Sequence, residues 1–463
     1  MLHLTRHNLD NVLQEILPGA LRFVSFPWRI YSIAEHRTPV DVVPRVEEET
    51  RPEGLSGMIL SNEEQACLGG DRGEANRLAM EILVRVGESF DAERLIPIAS
   101  AHILGHYGSL HQAGIDFLET LAQGKGRCRV PTTVDPSSVD FRRWDEFKIP
   151  EEYVEKQTRL RTAIECLGVI PTWSCTPYLA HNVPRFGQSI AWAESSAVVF
   201  ANSVIGARTN RTPFGLDICA ALIGKVPEFG LYLEQNRRGT VLFEVNVGSL
   251  SDLDYHTLGA LVGSRCGPHI PVIKGIPESA TNDQLKGFGA GAGSAGSVAL
   301  YHALGVTPEA KAQDPFHGLK PQEVYPVNRR DLDEMEQEIS TATPGTPVDL
   351  MTFGCPLLSV SELAAIFDKM EKRRVKGGIH FWIYLSQETY EHAGRLGLID
   401  PLEKAGIRFS TGTCATISPV RVWGFSHVMT NSAKCALVIP SEHRVRVTYR
   451  DTDGCILAAT ERT

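Results

Sequence analysis

Residues 348–385 read VDLMTFGCPLLSVSELAAIFDKMEKRRVKGGIHFWIYL, and their reading decides the fold class. VDLMTFG is a short apolar run that stops at a glycine, as a buried strand does. SELAAIFDKMEKRR spaces its apolar residues by three and four, which predicts an amphipathic helix. GIHFWIYLS is a second apolar run, and ETYEHAGRLG, LIDPLEKAG and IRFSTGTC carry the alternation on. Helix and strand signals in regular alternation predict an α/β unit.

Working outward, the same alternation recurs upstream. Ser61 followed by Glu64 suits a helix cap, and EANRLAMEILVRVGESF has helical spacing. RLIPIAS predicts a short buried strand that ends at a polar loop, AHILGHYGSLHQAG. IDFLETLAQGKG predicts a helix with a glycine stop, residues 151–168 another helix, and VLFEVNV at 241–247 a strong strand. The small residues of GFGAGAGSAGS at 287–297 permit close backbone packing or a tight ligand loop; the GKS/T ending of a phosphate loop is missing. The tail HRVRVTYRDTDGCILAA predicts a strand pair joined by a DTDG turn. These signals divide the chain into a Pro-rich N-terminal arm and linker at 1–55, a large α/β catalytic region at 56–325 with possible discontinuous subdomains, a second α/β region at 326–440, and a C-terminal strand pair or tail at 441–463.

Composition narrows the function classes. The net charge of -9 implies no broad basic surface, so nucleic acid is not an expected partner. No apolar run approaches the roughly 18 to 20 residues that span a bilayer, and the N-terminus lacks a clean signal-peptide core. A cytoplasmic protein with no membrane partner is the expectation. Ten cysteines in 463 residues, with no CxxC pair, read as reduced thiols. Most are packing residues, and any that bind a metal must be gathered from distant parts of the chain.

Residues 191–211, AWAESSAVVFANSVIGARTNR, set Glu194, Ser195, Ser196, Asn202, Arg208 and Asn210 around an apolar run. A plain core helix has no need of them. Arginine offers a fork of donors to a carboxylate, here from Arg208 or Arg211, while serine and asparagine align oxygens. The competing reading is a polar network that buttresses a domain joint. FGCPLLS and STGTCA place Cys355 and Cys414 after predicted strands, where open α/β sheets hold ligands. Cys175 in PTWSCTPY is a third candidate. Cys219 in GLDICAAL is its rival, although an apolar helical setting favours packing. Three thiolates suit zinc or an iron–sulfur centre and leave a position open to substrate, where the metal acts as a Lewis acid. His106 lies in the polar run HILGHYGSLH, and Lys286 immediately precedes the small-residue stretch. Neither HExxH nor a compact His/Asp cluster is present to support a zinc hydrolase.

Several long motifs resemble the aconitase X family large subunit. They are HYGSLHQAGIDFLETLA, VPTTVDPSSVD, CTPYLAHNVPRFGQSIAWAESSAVVFANSVIGARTNR, DQLKGFGAGAGSAGSVALYHALGVTPEA and FGCPLLS. The resemblance covers roughly 57 to 440 and leaves out 1–55. It implies a multidomain aconitase-like α/β fold, with parallel or mixed sheets around a central cleft. It implies a hydro-lyase that removes water from a small hydroxy acid at an iron–sulfur cluster, [4Fe-4S] or [2Fe-2S]. The substrate class implied first is cis-3-hydroxy-L-proline, with mevalonate 5-phosphate as the alternative and a non-catalytic assembly role as a third reading. A phosphorylated substrate needs added positive charge, for which Lys274 and Lys286 are the visible candidates. By the same resemblance Cys175, Cys355 and Cys414 would hold the cluster. Ser195, Ser196, Asn202, Arg208 and Asn210 would bind substrate, and Glu194, His106 and Lys286 would serve the chemistry. A separate small swivelling-domain subunit is the implied partner, and the resemblance implies a catalytic base carried by it.

Overall fold

The computed structural model describes residues 57–462, so the arm and linker expected over 1–55 lie outside the described residues. Three parallel sheets follow one another along the chain. In the first, Ala101–Ile103 lies between Thr132–Val134 and Ala191–Trp192. The second has the order His302–Ala303, Pro271–Lys274, Val241–Val245, Glu323–Val327. The third has five strands in the order Ile407–Thr411, His380–Leu385, Leu350–Phe353, His427–Thr430, Arg446–Tyr449.

The third sheet is the one that 348–385 predicts. Leu350–Phe353 is buried at every residue, as a central parallel strand must be. The helix Val360–Lys369 starts at Ser359, whose hydroxyl accepts the Glu362 N–H while the Glu362 carboxylate accepts the Ser359 N–H. Leu363 and Ile366 of that helix pack with Phe353, Phe381 and Ile383 of the sheet. Each fully buried side chain of this size contributes about 1.5–3 kcal/mol. The strand order reverses direction between Leu350–Phe353 and His427–Thr430, and the crevice beyond the carboxyl ends of two such strands is where open α/β sheets hold ligands. The first sheet has its own reversal between Ala101–Ile103 and Ala191–Trp192.

Small residues close the joint behind these crevices. The stretch 287–297 belongs largely to the helix Asn282–Ala295, which packs against Asp252–Cys266. A Cβ at Gly259 would stand 2.0 Å from the Phe288 carbonyl oxygen, and one at Gly263 would stand 2.5 Å from that of Ala292. Close helix packing, not a ligand loop, is therefore what these glycines provide.

Three expectations need correction. The polar loop predicted after RLIPIAS is in fact the strand Ala101–Ile103 and the helix Tyr107–Gln123. The tail is not a strand pair. Arg446–Tyr449 is a strand, but Asp451 accepts the Gly454 N–H at 2.8 Å and caps the helix Thr452–Ala459. Cys455, Ile456 and Ala459 then bury against Met351 and Phe353 at helical spacing, which outweighs the turn signature of DTDG. The boundaries at 325 and 440 fall inside the strand Glu323–Val327 and the helix Ala433–His443. Among the described residues no helix is long and apolar enough to cross a membrane.

Candidate active site

The strand ends of the first and third sheets face each other. His106 follows Ala101–Ile103, Asp135 follows Thr132–Val134, and Glu194 follows Ala191–Trp192. Across from them, Cys355 follows Leu350–Phe353, Cys414 follows Ile407–Thr411, and Lys434 and Cys435 follow His427–Thr430. The two sheets are pinned together nearby. Ser137 N donates to Gly412 O at 2.8 Å, and Thr411 N donates to the Asp140 carboxylate at 2.7 Å.

Glu194 is the N-cap of the helix Ser195–Phe200, and its Oε2 accepts the Ala197 N–H at 2.5 Å. Its Oε1 pairs with Lys434 Nζ, which also lies 2.8 Å from Ser196 Oγ and 3.5 Å from Ser195 Oγ. Burial works to raise the Glu194 carboxyl, but Lys434 and the amides of Ala197 and Ser196 outweigh it and hold it below the usual range. A carboxylate kept ionised in this way is a poor proton donor and a good anchor for the Lys434 ammonium.

Asp135 is the opposite case. Burial, with Glu194 adding to it, pushes its carboxyl up to about 6, although His106 pulls the other way. His106 Nε2 stands 3.5 Å from Asp135 Oδ2. Asp135 Oδ1, His106 Nδ1 and His102 Nε2 are buried with no hydrogen-bond partner among the described residues. Orphaned polar atoms grouped at strand ends mark a place where another molecule is expected to complete them.

The thiols separate into two places. Cys175, Cys355, Cys414 and Cys435 share one core cluster, while Cys219 lies in another with Leu83, Leu118 and Leu222. Cys175 Sγ accepts the Leu357 N–H at 3.4 Å, two residues beyond Cys355, and Cys414 Sγ lies 3.1 Å from Thr416 Oγ1. The Ser432 hydroxyl donates to Cys355 O and accepts the Cys435 N–H at 3.1 Å, which sets these two cysteines side by side. Cys435 and then burial push the Cys355 thiol well up. Burial, with Glu194 and Cys414 adding, does the same to Cys175, and burial with Cys355 takes Cys414 to about 12.

The structure thus brings together Glu194, Ser195, Ser196, His106, Cys175, Cys355 and Cys414. It places the other expected residues differently. Lys286 is buried in a triad with Asp283 at 3.0 Å and with Glu362, and it also reaches Leu357 O at 3.4 Å. Its ammonium reaches the Cys355 loop through Leu357 O and is matched by two carboxylates. Asn202 spends its amide on Thr209 and Ala299, Arg208 binds Tyr232 O and Glu234, and Asn210 holds Phe229 O and Leu231 N. For these three the buttressing reading is the one the contacts favour. Lys434, Asp135 and Cys435 went unrecognised in the sequence. The available signal for Lys434 and Cys435 is HVMTNSAKC, which repeats the apolar-run-then-polar pattern of MTFGCPLLS, and Asp135 ends the apolar run of VPTTVDPSSVD.

Models of the aconitase X first, second and third domains match residues 57–235, 239–337 and 348–461. The chain belongs to the aconitase X family. The match extends past 440, where the motif resemblance stopped. The crystal structure of Thermococcus kodakaraensis aconitase X (holo-form) superimposes with a TM-score of 0.80 at 34% identity, over 87% of this chain and 100% of that one. The phosphomevalonate dehydratase large subunit of Methanocaldococcus jannaschii is 35% identical over 86% of this chain and 98% of its own length. The cis-3-hydroxy-L-proline dehydratase of Pseudomonas aeruginosa is 38% identical over 94% of this chain and 76% of its own length. That share exceeds what residues 57–463 alone supply, so the likeness runs into the first 56 residues, contrary to the motif reading. As a dehydratase of this family the chain is a hydro-lyase.

Proposed function

We propose that this aconitase X chain dehydrates cis-3-hydroxy-L-proline. The observation that carries the choice of substrate is the commitment of the two lysines a phosphorylated substrate would need. Lys274 is exposed and pairs with Glu244 at 2.9 Å, and Lys286 is locked between Asp283 and Glu362. A substrate with one carboxylate and no phosphate suits the charge that remains. The longer match to the Pseudomonas aeruginosa protein supports the same reading.

An iron–sulfur cluster fits the thiol pocket. Buried thiols this far above their ordinary range stay protonated unless a cation draws them into thiolates, and Cys175, Cys355 and Cys414 share one core cluster, which supports this reading. Among the described residues no three His, Cys, Asp or Glu side chains close on a single metal ion, whereas a multi-iron cluster is wider than one ion. Cys175, Cys355 and Cys414 would hold it, and when bound it supplies a Lewis acid for a departing hydroxyl.

The chain's own residues do the rest. Lys434, anchored by Glu194, presents a fixed positive charge beside Ser195 and Ser196, where negative charge builds as the proton next to the carboxylate is lost. Asp135, near neutral and backed by His106, supplies a proton to the leaving oxygen. The base that takes the carbon-bound proton lies on a small-subunit partner. Relatives whose names include "large subunit" support such a partner. Anaerobic purification with the small subunit, then assay of both substrates, tests the reading. Turnover of cis-3-hydroxy-L-proline with none of mevalonate 5-phosphate is expected, and the reverse preference would overturn it.

A further inference from the structure

The helix Glu151–Cys166 buries Gln157 together with Leu160 and Ile164, so a polar residue stands where helical spacing calls for an apolar one. Its exposure is 0%. Burying an amide is costly unless its oxygen and nitrogen both find partners. Gln157 Oε1 accepts the Tyr107 N–H at 2.8 Å and the Ser138 N–H at 3.2 Å, and Nε2 donates to Gly105 O at 2.7 Å. The amide fits one way round, because two N–H groups meet its oxygen and a carbonyl meets its nitrogen.

Those three bonds join two strand ends of the candidate site. Gly105 and Tyr107 flank His106 in sequence, and Ser138 lies three residues beyond Asp135. The surrounding backbone is held as well. Leu104 N donates to the Asp217 carboxylate at 2.9 Å, Gly108 N donates to Ser138 Oγ at 2.8 Å, and Asp135 N donates to Ile103 O at 2.9 Å. A Cβ at Gly105 would stand 2.4 Å from Val134 Cγ2, so the two segments already touch there. The chain is thus fixed on both sides of His106, and His106 Nε2 comes to lie 3.5 Å from Asp135 Oδ2.

We infer that Gln157 is a positioning residue for the dehydration: it holds the His106 loop against the Asp135 loop and so sets how His106 approaches Asp135. It acts through those two residues, and its role rests on the proposed function of Asp135 as proton donor. A catalytic group displaced by about 1 Å can lose about 100-fold in rate, even when the mutated residue lies away from the chemistry.

The test uses the full chain, iron-loaded and assembled with its small subunit, as wild type, Gln157→Leu, Gln157→Glu, Asp135→Asn and the double variant Gln157→Leu with Asp135→Asn. KM and kcat are measured against pH on whichever of the two substrates the wild type turns over. Gln157→Leu is expected to lower kcat about 10- to 100-fold and to change KM less than about threefold, with the visible absorption of the cluster unchanged. The loss in the double variant should fall well short of the product of the two single losses, as for residues that act as a unit. Gln157→Glu keeps the acceptor, and its protonated form keeps the donor to Gly105 O. Its kcat should therefore approach wild type at low pH and fall more steeply than wild type as pH rises. Wild-type kcat in Gln157→Leu, or a loss that multiplies in full with that of Asp135→Asn, would overturn the inference. Should Gln157→Leu not fold, Gln157→Glu decides, and a pH profile matching wild type would overturn it. Should Asp135→Asn keep wild-type turnover, the acid role of Asp135 fails and that of Gln157 fails with it, whereas a crippled Asp135→Asn beside an unaffected Gln157→Leu removes Gln157 alone.

Discussion

Lys434 and Glu194, 240 residues apart in sequence, form a buried ion pair that joins the carboxyl ends of the third and first sheets. The pair is at once a clamp between two parts of the chain and a charge placed beside the two serines. Removing one member leaves the other buried and unmatched. Lys434→Met is therefore expected to cost roughly 3–5 kcal/mol in chemical denaturation, and the double variant with Glu194→Gln should regain a good part of it. Glu194 titrates below its ordinary range, so its share of stability is present above that range and is lost as pH falls through the lowered value. Lys434 titrates above its ordinary range, so its share is lost only as pH rises beyond the usual lysine value. A denaturation series between roughly pH 4 and 10 should thus show a plateau in this contribution.

The thiol assignment has a sharp contrast built into it. Cys175→Ala, Cys355→Ala and Cys414→Ala should each lower bound iron and labile sulfide in anaerobically prepared protein. Cys219→Ala should keep both, because Cys219 belongs to a different core. Full iron content in any of the first three would remove that residue from the set.

Asp135 must be protonated to act as an acid. Its carboxyl sits at about 6, facing His106, His102, Glu194 and Lys434, so its protonated fraction falls as pH rises through that value. Turnover should decline on the alkaline side of about pH 6, and Asp135→Asn should flatten this limb while lowering kcat about 100-fold or more. A pH profile of the variant that retains the wild-type limb would assign it to another group.

Lys286 distinguishes a buttress from a contact. Lys286→Met leaves Glu362 and Asp283 unmatched and is expected to destabilise the fold by about 3–5 kcal/mol. In the fraction that folds, KM for the substrate should change by less than about threefold, since the ammonium faces Leu357 O and two carboxylates. A large rise in KM with unaltered stability would return Lys286 to the cleft.

Local signals in the sequence determined the secondary structure and much of the candidate site. Alternating apolar runs and helical spacing over 348–411 are enough to specify a parallel sheet, because side chains buried on both faces must read as near-continuous apolar strands. A thiol after a strand end is likewise legible, and Cys355 and Cys414 are found that way. The motif 191–211 marked its own importance through polar residues that an ordinary helix would not carry. Tertiary structure decided how those polar groups are used. Whether an arginine is matched depends on what lies across from it: Glu234 meets Arg208, while Arg211, three residues on, meets only a carbonyl. The choice between Cys175 and Cys219, and the pairing of Glu194 with Lys434, depend on which strand ends face each other. Sequence spacing carries no information about such long-range meetings, because they are set by the packing of whole sheets.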